Sequence, residues 1–250
     1  MKFLRTLQHA DVLAVSCETD PLFLAAATSL LRWPDRTQAL RFTHGFPIVD
    51  HIENTGVFRP LAANKSEAAY NNSEGLLGDY SKTCLRELLA SYPSAEFSDE
   101  IWRQSVEEVS KGFAKPMLSA SEMDAVFGAG NWISMERFMV RQASGKLRCI
   151  DNAKKRGQNK AARLFETIFI IGLDFIPAAV KALMITLLFA FDWSEINWEL
   201  FMVEIGVIDF LDAYRFVPVL PAHANFSIAS VWNPVSKSWV FLRLMGHALD

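Results

Sequence analysis

The sequence predicts an α+β protein in which a helical N-terminal region precedes a hairpin and an incomplete antiparallel sheet. Three observations predict it. Apolar residues in the first half recur at helical spacing between caps, the period changes to alternation from Arg137 onward, and the strand-like segments follow the helical ones as a block. That order separates α+β architectures from repeated βαβ units. The expected division is 1–95 mainly helical, 96–165 centred on a hairpin, and 166–250 sheet-forming. With 51% apolar and 12% aromatic residues in 250, there is ample material for a packed core.

Asp20 is placed as an N-cap with Pro21 at the first helical position, and the run LFLAAATSLLRW stops before Pro34. Phe42 to Pro60 is rich in glycine, proline and β-branched residues, which predicts turns with short extended pieces. Ser91 to Ser98 interrupts the periodicity. Ser98 then caps a helix whose apolar positions Ile101, Trp102, Val106 and Val109 hold their spacing until Gly112. Ser119 and Glu122 form a capping box flanked by a Leu118/Met123 staple, and Gly128 and Gly130 stop that helix. Arg137 to Asp151 reads as two strands around Ala143-Ser144-Gly145, a β-hairpin in which Cys149 is a small core residue. Four further strands are expected: Met202–Asp209, Arg215–Leu220, Ser227–Trp232 and Ser238–Leu244, with Asn233-Pro234 opening the last turn.

Charge excludes one class of explanation and suggests another. The chain has 25 Lys+Arg against 28 Asp+Glu, a net charge of −3, so bulk attraction to nucleic acid is not expected. Between Met135 and Arg163, however, nine basic residues face only Glu136 and Asp151. A patch this dense can attract phosphate on an acidic protein, because screening over ~8–10 Å makes the neighbourhood matter more than the total. Three cysteines without zinc-type spacing fit a reducing, intracellular compartment, cytoplasm or nucleus, and no signal peptide is expected. The apolar run Thr167 to Phe191 is divided by Asp174, Pro177 and Lys181. Its longest clean stretch, Ala182 to Phe191, is half of the ~20 residues a span needs, so a buried segment is expected and no membrane span.

The most informative stretch is Ile208-Asp209-Phe210-Leu211-Asp212-Ala213-Tyr214-Arg215-Phe216-Val217-Pro218. It resembles motif A of reverse transcriptases, matching at Asp209, Asp212, Ala213, Tyr214, Val217 and Pro218. Upstream, RFMVRQASGKLRCIDN (Arg137 to Asn152) resembles the fingers hairpin of retroelement polymerases, and the two occur in the family's order. The resemblance covers Glu100 to Asp250 and implies the fingers and part of the palm of a right-hand polymerase, an RNA-directed DNA polymerase that transfers a nucleotide to a primer 3′-hydroxyl.

On that resemblance, Asp209 is the catalytic carboxylate and, in a complete polymerase, the ligand of Mg²⁺ or Mn²⁺, with the Phe210 carbonyl adding an oxygen. Backbone amides at Asp212 and Ala213 lie near the triphosphate, and Tyr214 stands under the sugar and excludes a 2′-hydroxyl. Lys146 and Arg148 grip the triphosphate, while Lys154, Lys155, Arg156, Lys160 and Arg163 contact template or primer backbone. The implied partners are a template-primer and a deoxynucleoside triphosphate.

The sequence departs from the family's pattern in three places. Arg148 and Asp151 are one residue closer than in retroviral enzymes; the closing Leu244-Met245-Gly246-His247 lacks the Pro and Phe of the usual Pro-Phe-Gly-Leu-like segment; and no Asp-Asp pair occurs. One aspartate cannot hold two dications against their mutual repulsion, so this chain alone is not expected to polymerise DNA. Two other classes stay open: a non-catalytic nucleic-acid-binding remnant that keeps the basic hairpin, and a helical interaction or membrane-surface protein built around Thr167 to Phe191.

Overall fold

The computed structural model describes residues 8–17, 19–61, 72–93, 96–167 and 213–246. All of these belong to one compact unit, formed by Met1–Thr167 with Asp212–Asp250, while residues 168–211 form a second. The expected division at residue 95 therefore falls inside the first unit. The strand expected over Met202–Asp209, the apolar run beyond Thr167, and Asp209, Phe210 and Asp212 lie outside the described residues.

Helices come first, as the caps require. After α1 (Ala10–Ser16), α2 (Pro21–Leu30) begins where the Asp20 carboxylate accepts from the amides of Leu22 at 2.9 Å and Phe23 at 3.1 Å. Then come α3 (Gln38–His44), α4 (Asp79–Ala90), α5 (Ser98–Ser110) and α6 (Ala120–Phe127). At α6 both halves of the capping box form: the Ser119 hydroxyl accepts from the Glu122 amide at 3.3 Å, and the Glu122 carboxylate accepts from the Ser119 amide at 2.7 Å. Met123 and Leu118 join a core with Leu88, Trp132, Ile228 and Phe241.

The start of α5 differs from expectation. Ser98 is its first residue and not its cap; Phe97 takes that place in a left-handed conformation (φ 68°), its ring lying 5.5 Å under the Arg141 guanidinium. Val106 is exposed, and the inward position of that turn is held by Ser105 instead. Ile101, Trp102 and Val109 pack, as expected, on a cluster that includes Met135, Val231 and Leu242.

The extended pieces of Phe42–Pro60 are β1 (Asp50–His51) and β2 (Arg59–Pro60). The hairpin is β3 (Ser134–Arg141) and β4 (Leu147–Asn152), closed by Gln142–Lys146 with Gly145 at φ +83°. A one-turn helix α7 (Gln158–Ala161) leads into β5 (Ala162–Arg163), which pairs parallel to β1, and β6 (Glu166–Thr167), which pairs antiparallel to β2. The last hairpin is β7 (Ile228–Asn233) and β8 (Ser238–Arg243), its turn held by the Asn233 side chain accepting from the amides of Val235 and Ser236.

The main sheet has the order β4-β3-β7-β8. It is mixed, not purely antiparallel: the two hairpins join side by side through a short parallel seam, Ser134–Glu136 against Ile228–Ser230. The long connection between the hairpins permits this, since parallel neighbours need a crossover of a dozen residues or more. The segment Arg215–Leu220 is a second correction. It opens as the 3₁₀ turn Ala213–Phe216, and only single bridges follow, Pro218 to Gly246 and Val219 to Phe46. Pro218 has no amide to donate to a continuous ladder. Among the described residues no helix is long and apolar enough to cross a membrane.

Candidate functional site

Hairpin register places Arg137 directly across from Asp151 on neighbouring strands. Their side chains meet as a two-pronged fork, Nε to Oδ1 at 2.7 Å and Nη2 to Oδ2 at 3.0 Å. The remaining Arg137 nitrogen donates to Ser105 Oγ at 2.9 Å and Glu108 Oε2 at 2.8 Å, both on α5. Arg215, from the 3₁₀ turn within the motif A-like stretch, donates to Glu108 Oε1 and lies 3.5 Å from Asp151 Oδ2. Two cations and two anions thus alternate around one buried centre, with the Arg137 and Asp151 side chains 0% and 1% exposed. A buried charge is tolerated only when paired and hydrogen-bonded, and here each is paired.

The electrostatics follow from the geometry. Burial by itself raises the Asp151 carboxyl pKa, but the charges and hydrogen bonds of Arg137 and Arg215 overrule it and hold the group below its ordinary 3.8. Burial opposes charge on Arg137 too, and Asp151 and Glu108 hold its pKa well above the ordinary value. Cys149, buried on the same side of β4 as Asp151, is pushed up to about 12, mainly by burial, so it stays a thiol and packs as a core residue.

A pH dependence follows. A carboxyl depressed in the fold contributes stability that is complete above its unfolded-state value of ~3.9, and that is lost as pH falls through its lower folded-state value. Denaturant midpoints are therefore expected to fall as the pH drops below ~4, with the acid limb shallower in Asp151→Asn. Matching acid limbs in the two proteins would count against this assignment.

The hairpin cations are arranged differently. Lys146, in the turn, and Arg148, on β4, are both exposed; strand alternation puts Arg148 on the face opposite Cys149 and Asp151, which are buried. Of the motif A-like residues, Ala213 and Tyr214 are described by their backbone in the 3₁₀ turn; Asp209, Phe210 and Asp212 are not among the described residues.

Two of the nine bases counted as a surface patch point inward. Arg137 belongs to the buried ring, and Arg156 is held by Glu87 at 3.0 Å and Glu136 at 2.7 Å. Arg156 is thus withdrawn from the run expected to meet nucleic acid, because its charge is already matched inside the protein. Lys155 is exposed but pairs with Glu136, and Arg163 is half-buried with its guanidinium 4.8 Å from the Phe165 ring centre. Lys154 and Lys160 remain exposed, with no acidic partner among the described residues.

Sequence reasoning missed the ring. The signal was present: Arg137 and Asp151 are equally spaced from Ser144, the middle of the predicted turn, so a symmetric hairpin sets them opposite each other. For the expected Mg²⁺ or Mn²⁺, the described carboxylates of this region do not fit as ligands, since Asp151 and Glu108 are engaged by guanidinium groups. Among the described residues no group of three or more His, Cys, Asp or Glu is gathered as a metal requires. Comparison with known proteins adds no name to this geometry: no protein-family model, no curated protein and no solved structure matches the chain significantly.

Proposed function

We propose that this chain carries the fingers and the first palm segment of a reverse transcriptase-like nucleotidyltransferase. The observation that supports this reading is the ion pairing of Arg215 with Asp151 and Glu108. It ties Arg215, a residue of the motif A-like stretch six positions beyond Asp209, to the base of the hairpin that bears Lys146 and Arg148. The described part of the motif A-like stretch thus packs against the hairpin, and the two segments follow each other in the family's order. The hairpin offers two exposed cations, one in its turn and one two residues on in β4, which suits a triphosphate. A metal ion at Asp209 and a deoxynucleotide-selecting Tyr214 belong to the same proposal, as does a template-primer along Lys154 and Lys160.

Binding is the proper readout, because Asp209 is the one metal-binding carboxylate of the family identified in this sequence. Lys146→Ala with Arg148→Ala is expected to weaken deoxynucleoside triphosphate binding by about tenfold or more, read by calorimetric titration. An unchanged dissociation constant would refute the fingers assignment. Salt-dependent retention of single strands, indifferent to Mg²⁺ and to these two substitutions, would favour the non-catalytic nucleic-acid-binding reading instead.

A further inference from the structure

Beside the hairpin base, a cavity of about 460 Å³ opens between the 3₁₀ turn Ser73–Leu76 and the turn that leaves β4. Small-molecule sites are typically ~300–1,000 Å³, so the volume is that of a single ligand unit and not of a crevice. Lys154, Lys155 and Lys160 line it together with Asn72, Gly75 and Tyr80. Neither Lys146 nor Arg148 does.

Three ammonium groups around one cavity repel each other, and the nearby acids do not neutralise them all. Glu136 is shared between Lys155 and Arg156, and Glu87 is bound to Arg156. Glu74, next to the lining residue Gly75, accepts from the Asn72 side-chain amide at 3.2 Å. Lys154 and Lys160 have no acidic partner among the described residues. An anion in the cavity relieves this repulsion, and a phosphate supplies enough acceptor oxygens for several ammonium donors.

The remaining wall is of another kind. Tyr80 lines the cavity and is partly exposed, and its hydroxyl donates to the Arg156 carbonyl at 3.3 Å. A phenol face beside cations suits a flat aromatic base, since bases stack on aromatic side chains whatever their identity. Gly75, also in the lining, leaves open space: a Cβ built there meets no atom within 4 Å.

We propose that this cavity is a nucleotide site, with a phosphate held among Lys154, Lys155 and Lys160 and a base against Tyr80. It rests on the cavity and not on the polymerase resemblance, and its ligand is either a free nucleotide or one nucleotide unit of a strand. The test is calorimetric titration of the full chain with AMP and, separately, inorganic phosphate. AMP is expected to bind more tightly than phosphate, and Lys154→Ala with Lys160→Ala to weaken AMP binding by about tenfold or more. Gly75→Glu, which sets a carboxylate in the cavity without backbone strain, is expected to do the same. An AMP dissociation constant unchanged in both variants would overturn the site, and phosphate binding as tight as AMP would overturn the base contact.

Competition by a short single-stranded oligonucleotide lacking terminal phosphates assigns the site to a strand, and its absence assigns it to free nucleotides. Titrating AMP and a deoxynucleoside triphosphate into the Lys146→Ala/Arg148→Ala protein separates the two readings. Loss of triphosphate binding there with AMP binding kept supports both sites; loss of AMP binding in that protein overturns the separate cavity.

Discussion

Arg137→Ala is expected to destabilise the fold by about 3–5 kcal/mol, the cost of leaving a buried carboxylate without its partner. The size follows from what remains behind. Asp151, at 1% exposure, keeps its charge in a dry site and has only the longer contact to Arg215, which Glu108 already engages. Denaturant unfolding monitored by tryptophan fluorescence measures the loss directly, and a change under about 1 kcal/mol would show that water reaches the carboxylate. Replacing both partners with apolar residues, Arg137→Met with Asp151→Leu, is expected to be milder than either single change, because the Arg215–Glu108 pair survives and no orphaned charge is left. The comparison between single and double variants is the sharper test, since packing loss alone would make the double the worse of the two.

Gly246→Ala is expected to cost about 1–3 kcal/mol by a different route, the forcing apart of two backbones. A Cβ at position 246 would lie 2.1 Å from the Arg215 carbonyl oxygen and 2.7 Å from its carbonyl carbon, so main chain and not a pliable side chain must yield. Gly75→Ala is the control, for nothing stands within 4 Å of a Cβ there. Thermal unfolding of the two variants should therefore differ clearly; equal melting temperatures would mean that the contact at Arg215 relaxes without cost.

What the sequence made legible was local. The α6 capping box depends on residues three apart, the β7–β8 turn on an asparagine and its next three residues, and the β3–β4 hairpin on alternation around Ser144. Each can be read without knowing where the rest of the chain goes. The misreadings came from distant contacts. Arg137 and Arg156 were counted as surface charge although each has one partner inside the hairpin segment, Asp151 and Glu136; the contacts that bury them, from Glu108 and Glu87, come from helices far back in the sequence. Val106 was taken as an inward position because it is apolar, yet Ser105 turned inward to serve Arg137. The parallel seam has no period or turn to announce it. Of the candidate site, the exposed pair Lys146 and Arg148 was legible from the hairpin; the ion pairs of Arg215 were not, since its burial depends on α5 and β4 together.

That seam also constrains how the protein can be made. Ser230 donates to the Met135 carbonyl across 95 positions of chain. At ~5–20 residues per second on the ribosome, β3 waits about 5–20 s after synthesis before its neighbour emerges. Throughout that interval the nascent hairpin shows an unpaired strand edge to everything around it, which is the situation chaperones exist to shield.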